Sequence, residues 1–161
     1  MAAESLKSAP LELERFLPYR LSVLSNTISA AIARDYGKRF GLAVTEWRVI
    51  AVLGRYDGLS AVEVAERTAM DKVAVSRAVN ALQKSGRIKR STHVDDRRRS
   101  VLALSAKGRK LYDDVAPMAL RYERELLAVL SAEERGWLER ILDKLVDEGH
   151  DALARAAAAS R

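Results

Sequence analysis

The chain has 161 residues, 48% of them hydrophobic, and a formal net charge of +6. That length suits one compact domain with a real core, and the composition is that of a globular chain. The absence of cysteine excludes disulfides, thiolate metal sites, catalytic thiols and thiol-based oxidant sensing. The two histidines, His93 and His150, lie far apart in sequence, which argues against a metal site. No GxGxxG, P-loop, HExxH or GxSxG pattern occurs, and no paired carboxylate or nucleophile–base signature stands out. We therefore expect neither an enzyme nor a bound cofactor. No apolar run reaches the roughly 18–20 residues needed to cross a bilayer, and the first residues lack a basic flank with an apolar core. A cytoplasmic protein without a membrane partner is expected.

In chain order, Leu13, Phe16 and Leu17 suggest a short helix, and Pro18 suits the first turn of a longer one. Leu21, Leu24, Ile28 and Ile32 continue it as an apolar stripe, with Gly37 and Gly41 as its stop. Thr45 is read as the cap of a second helix holding Trp47, Val49, Ile50 and Leu53, broken by Gly54, Asp57 and Gly58. Ser60 and Glu63 form a capping box for a third, with Val62, Val64 and Ala65, ending near Thr68. After the turn Ala69-Met70-Asp71, a fourth helix runs from Lys72 to about Ser85, with Val75, Val79 and Leu82 inward and Gly86 as its stop.

The period then changes. Residues 87–92 and 99–104 read as two strands around a polar tip, His93 to Arg98. Ser105 caps a long helix to about Leu130, with Leu111, Val115, Met118, Tyr122 and Leu126 on one face and Pro117 expected to kink it. Ser131 and Glu134 form a second capping box, and Leu138, Ile141, Leu142, Leu145 and Val146 stripe the last helix before an alanine-rich tail expected to fray. Long helices with exposed apolar stripes seek a partner chain, so a homodimer held by both termini is expected.

Charge is unevenly placed. From Lys72 to Lys110 there are twelve basic residues against Asp95 and Asp96, a net +10 that leaves −4 for the rest of the chain. A basic segment on a mildly acidic body points to a polyanion. Two helices joined by a short turn, the second basic, match a helix–turn–helix, whose second helix lies in the major groove of double-stranded DNA. If Val75 and Val79 point inward, then Lys72, Ser76, Arg77 and Asn80 project outward. Arginine suits guanine, asparagine suits adenine, and serine suits phosphate. The hairpin would be a wing with Arg97, Arg98 and Arg99 at its tip. One would enter a narrow minor groove and the others contact phosphate, with Asp96 orienting an arginine through an ion pair.

These residues resemble the MarR family of winged helix–turn–helix transcriptional regulators. The resemblance spans about Leu21 to Leu145. "DRRRSVLALSAKG" resembles the family's D-x-R pattern, a short strand and Leu-Thr-x-x-Gly: Asp96 and Arg98 fall on its acid and arginine, and Leu104-Ser105 on Leu-Thr, with serine for threonine. "VTEWRVIAVL", with Trp47 and Arg48, is similar to the family's second helix, and "MDKVAVSRAVNALQKSGRIKR" to its recognition helix and first wing strand.

The expected fold is mainly α. One MarR-type domain over 1–161 would hold a winged helix–turn–helix lobe at about 43–106, flanked by dimerisation helices at about 10–40 and 107–158. The resemblance implies a homodimer on a pseudo-palindromic operator, usually a repressor released by a small aromatic acid or phenol. The family's pocket lies between the dimer helices and the DNA-binding lobe, and Tyr19, Arg20, Asn26 and Trp47 are on segments that could line it. The alternative is an architectural protein that coats DNA without sequence preference.

Overall fold

The computed structural model describes residues 10–92 and 100–159 of the chain. Six helices and a two-stranded sheet follow one another among the described residues: α1 (Leu17–Phe40), α2 (Val44–Arg55), α3 (Ala61–Thr68), α4 (Lys72–Lys84), β1 (Ile88–Thr92), β2 (Ser100–Leu104), α5 (Ala106–Leu127) and α6 (Ala132–Ala159). The fold is mainly α with a winged helix–turn–helix, as expected. The chain divides between Ala119 and Leu120 into two compact units.

In the first unit, α2, α3 and α4 close around one core with the sheet. Val49, Ile50 and Leu53 of α2, Val64 of α3, and Val75, Val79 and Leu82 of α4 are all essentially inaccessible. Ile88 and Leu102 close it from the sheet, Leu111 and Val115 from α5, and Tyr36 from α1. The strands pair antiparallel from Ile88↔Leu104 to Thr92↔Ser100. Leu59 adds a bridge on the far side of β2, where the Leu102 amide donates to the Leu59 carbonyl at 2.7 Å.

Local chemistry sets most of the boundaries. The Ser60 hydroxyl accepts the Glu63 amide while the Glu63 carboxylate accepts the Ser60 amide, the reciprocal box anticipated for α3. Asp71 caps α4 by accepting the Ala74 amide at 2.8 Å. Gly86, at φ +69°, stops that helix in the left-handed region, where a β-carbon is costly.

Several boundaries differ from expectation. Leu13 and Phe16 precede α1 in turn and extended backbone, and the helix begins at Leu17. Ala43, not Thr45, is the N-cap of α2, and the Glu46 carboxylate takes its amide at 2.9 Å. Gly37 lies inside α1 and Gly54 inside α2. A β-carbon on Gly54 would sit 2.3 Å from the Tyr112 ring, so this glycine admits α5 against α2 and does not end the helix. Of the apolar residues that α3 carries, Val64 and Ala65 are buried and Val62 is 53% exposed. β2 starts at Ser100, and α5 ends at Leu127 and runs through Pro117.

The second unit is the end of α5 and the 28-residue α6. The Ser131–Glu134 box starts α6, with hydrogen bonds of 2.7 and 3.2 Å, and Ser131 holds the Glu134 carboxyl below its usual range. The alanine-rich tail stays helical to Ala159. No residue of α6 is buried within the single chain, although Leu138, Ile141, Leu142, Leu145 and Val146 share one face.

Candidate nucleic-acid interface

The outward face of α4 follows from its inward one. Val75, Ala78, Val79 and Leu82 are buried, so Lys72, Ser76, Arg77 and Asn80 are forced to the surface, and all four are exposed. Val73 lies on the same stripe, three, four and seven residues before Ser76, Arg77 and Asn80, and is 58% exposed. Asp71 caps the end of the helix that carries them.

Beside this face lies a cavity of about 230 Å³ between α3, α4 and β1, floored by Ala61, Val62, Val75 and Val79 and edged by Lys72, Ser76 and Arg90. Arg90 was not singled out in the sequence. It is exposed on β1, 3.4 Å from the Ser100 hydroxyl across the ladder, and it extends the cationic surface from α4 onto the wing. The wing-tip candidates Asp96, Arg97, Arg98 and Arg99 lie outside the described residues.

Three cations of the basic segment bond to backbone carbonyls, Lys107 and Arg109 while exposed and Arg87 while half-buried. Arg87 donates to the Phe40 carbonyl at 2.6 Å, Lys107 to the Ser85 carbonyl at 2.9 Å, and Arg109 to the Gly54 carbonyl at 3.0 Å. Those three oxygens sit at the C-terminal ends of α1, α4 and α2, where helices leave carbonyls unpaired and the dipole is negative. Three of the twelve basic residues thus cap helices. Spacing along the chain does not reveal which carbonyls folding brings near a cation, so these second roles were not visible in the charge count.

The Leu104-Ser105-x-x-Gly108 pattern has an equally concrete role. The Ser105 hydroxyl accepts the Gly108 amide as the cap of α5 and lies 2.7 Å from the Gly86 carbonyl and 3.0 Å from that of Arg87. A β-carbon on Gly108 would come within 1.9 Å of the Arg87 carbonyl oxygen. These residues fasten the start of α5 to the turn that joins α4 to the wing.

A second cavity, of about 310 Å³, lies between α1 and α2 and is lined by Ser25, Ser29, Ile32, Tyr36, Val44, Trp47 and Arg48. Trp47 meets Tyr36 at 6.0 Å and stacks on Tyr112 at 6.2 Å, so it belongs to the core edge and to the cavity wall together. Arg48 reaches the Ser29 hydroxyl at 3.4 Å. Burial raises the Tyr36 phenol above its usual range, opposed in part by the Arg48 charge. Of the four pocket candidates, only Trp47 lines this cavity. Tyr19, Arg20 and Asn26 are exposed on α1 and do not. Residues 25, 29, 32 and 36 share one face of α1, directed at α2.

Comparison with known proteins agrees with this arrangement. A family model described as MarR family matches residues 40–99, from the end of α1 to the last residue before β2. A probable transcriptional regulator from Pseudomonas aeruginosa is 30% identical, with TM-score 0.69, over 83% of this chain and 99% of its own. The chain belongs to the MarR family. This MarR-family protein also resembles a MarR/EmrR family transcriptional regulator from Acinetobacter sp. ADP1, 28% identical with TM-score 0.79, over 88% of this chain and 99% of that one. An HTH-type transcriptional repressor of Mycobacterium tuberculosis is 28% identical over 81% of this chain and 91% of its own length. The family places the protein among DNA-binding transcriptional regulators. Among the described residues no helix is long and apolar enough to cross a membrane.

Proposed function

We propose that this protein is a homodimeric repressor that binds a pseudo-palindromic operator and is released by a small aromatic or phenolic ligand. The observation that carries the DNA-binding part is the outward stripe of α4, where Ser76, Arg77 and Asn80 stand exposed over a buried valine face. In this reading Arg77 pairs with guanine and Asn80 with adenine, while Lys72, Ser76 and Arg90 hold phosphates. Arg97, Arg98 and Arg99 reach the flanking minor groove and its phosphates, with Asp96 orienting Arg98. Repression is the activity named for the mycobacterial relative.

Dimerisation is assigned to helices at about 10–40 and 107–158, around a DNA-binding lobe at about 43–106. The exposed apolar faces support it. Leu17, Leu21 and Leu24 of α1 are each more than 40% exposed, and α6 buries nothing within one chain despite its apolar stripe.

The effector site is assigned to the cavity between α1 and α2. Arg48 supplies a cation for a carboxylate, and Tyr36 and Trp47 supply aromatic walls. A protein of the same fold from Bordetella bronchiseptica, 22% identical, has its DNA binding regulated by 6-hydroxynicotinic acid. The ligand acts by favouring a dimer whose recognition helices are wrongly spaced, and it shifts that equilibrium only by its differential affinity for the two forms.

Selection of bound duplexes from a random pool tests the first claim. An inverted repeat with half-sites about one helical turn apart is expected, and an unenriched pool would favour architectural coating. Aromatic acids screened for release of the selected duplex, with Arg48→Ala as the comparison, test the second.

A further inference from the structure

We infer that Val73 reads the methyl group of a thymine in the major groove, making it a specificity-determining residue of the interface. The inference rests on the DNA-binding reading above and adds a base contact to it. Val73 occupies the second position of α4 and is 58% exposed, whereas Val75 and Val79 of the same helix are each 1% exposed. It contributes nothing to the core, and valine is a poorer helix former than alanine. It shares its stripe with Ser76, Arg77 and Asn80, at the end of the recognition helix that meets base edges. Those three side chains recognise hydrogen-bonding groups. Thymine alone among the four bases presents a methyl group in the major groove, and an apolar side chain is the partner it takes. Val62, the other exposed valine nearby, belongs to α3 and lines the adjacent cavity.

The test uses the full chain and a duplex enriched by selection. Each thymine of one half-site is replaced in turn by deoxyuridine, which removes one methyl and leaves the hydrogen-bonding edge intact. At one position the wild type should lose roughly fourfold in affinity, the equivalent of about 0.8 kcal/mol for one buried carbon group. Val73→Ser should bind the thymine and uracil duplexes alike at that position, with an unchanged thermal midpoint. Wild-type indifference to every replacement would overturn the inference, as would an undiminished fourfold loss in Val73→Ser. If selection yields no preferred sequence, the operator reading of the proposed function fails and the thymine contact with it.

Discussion

Ser105 holds the Arg87 carbonyl oxygen with both its amide and its hydroxyl, each at 3.0 Å. The same hydroxyl reaches the Gly86 carbonyl and accepts the Gly108 amide, so one small side chain ties the end of α4 to the first turn of α5. Ser105→Ala should therefore cost about 1–2 kcal/mol, since a cap and a carbonyl partner go together. Ser105→Thr keeps the hydroxyl and should cost little. Urea unfolding of both variants checks this; equal losses would mean that the hydroxyl is not what matters.

Gly108 and Gly136 should respond in opposite directions to alanine. At Gly108 the new β-carbon meets the Arg87 backbone oxygen at 1.9 Å, and backbone must move. A loss of about 1–3 kcal/mol is expected, as for overpacked sites. At Gly136 the nearest atom is the Arg140 guanidinium at 3.5 Å, an ordinary contact, so the better helix former should add up to about 1 kcal/mol. Thermal midpoints that fall for the first and rise for the second would meet the expectation.

What the sequence revealed depended on how local the cause was. The boxes at Ser60–Glu63 and Ser131–Glu134 form within four residues, and both formed as read. The α4 stripe was legible because burying Val75 and Val79 fixes the outward face of the same helix. Gly54 was misread as a stop because its reason is Tyr112, 58 residues later in the chain. The helix-capping roles of Arg87, Lys107 and Arg109 were hidden for the same reason, as were the cavity contributions of Ser29 and Arg48 from different helices.

The two kinds of cation should separate in a salt titration. Arg90→Ala removes a proposed phosphate contact and should reduce the slope of log affinity against log salt by about 1. Lys107→Met removes a helix cap, and should cost about 0.3–1 kcal/mol of stability while leaving the slope unchanged. A reduced slope in Lys107→Met would place that lysine on the DNA.

Tyr36 makes stability sensitive to alkaline pH. Burial favours its neutral phenol, so its ionisation in the folded chain lies above the usual value of 10.0. A raised value means that the stabilisation is complete below about pH 10 and is lost as pH rises through the folded-state value. Tyr36→Phe removes this titration. Its unfolding free energy should therefore fall less steeply above pH 10 than that of the wild type, and parallel curves would argue against a buried phenol.

Sequence reading by the α4 face is measured most directly as affinity for a selected duplex against a scrambled one of equal length at physiological salt. Wild-type protein should prefer the selected duplex by about 10³-fold or more. Arg77→Ala should lose about 1–3 kcal/mol of that discrimination at one base position without a change in thermal midpoint. Equal affinity for the two duplexes, or an Arg77→Ala variant with undiminished preference, would contradict it.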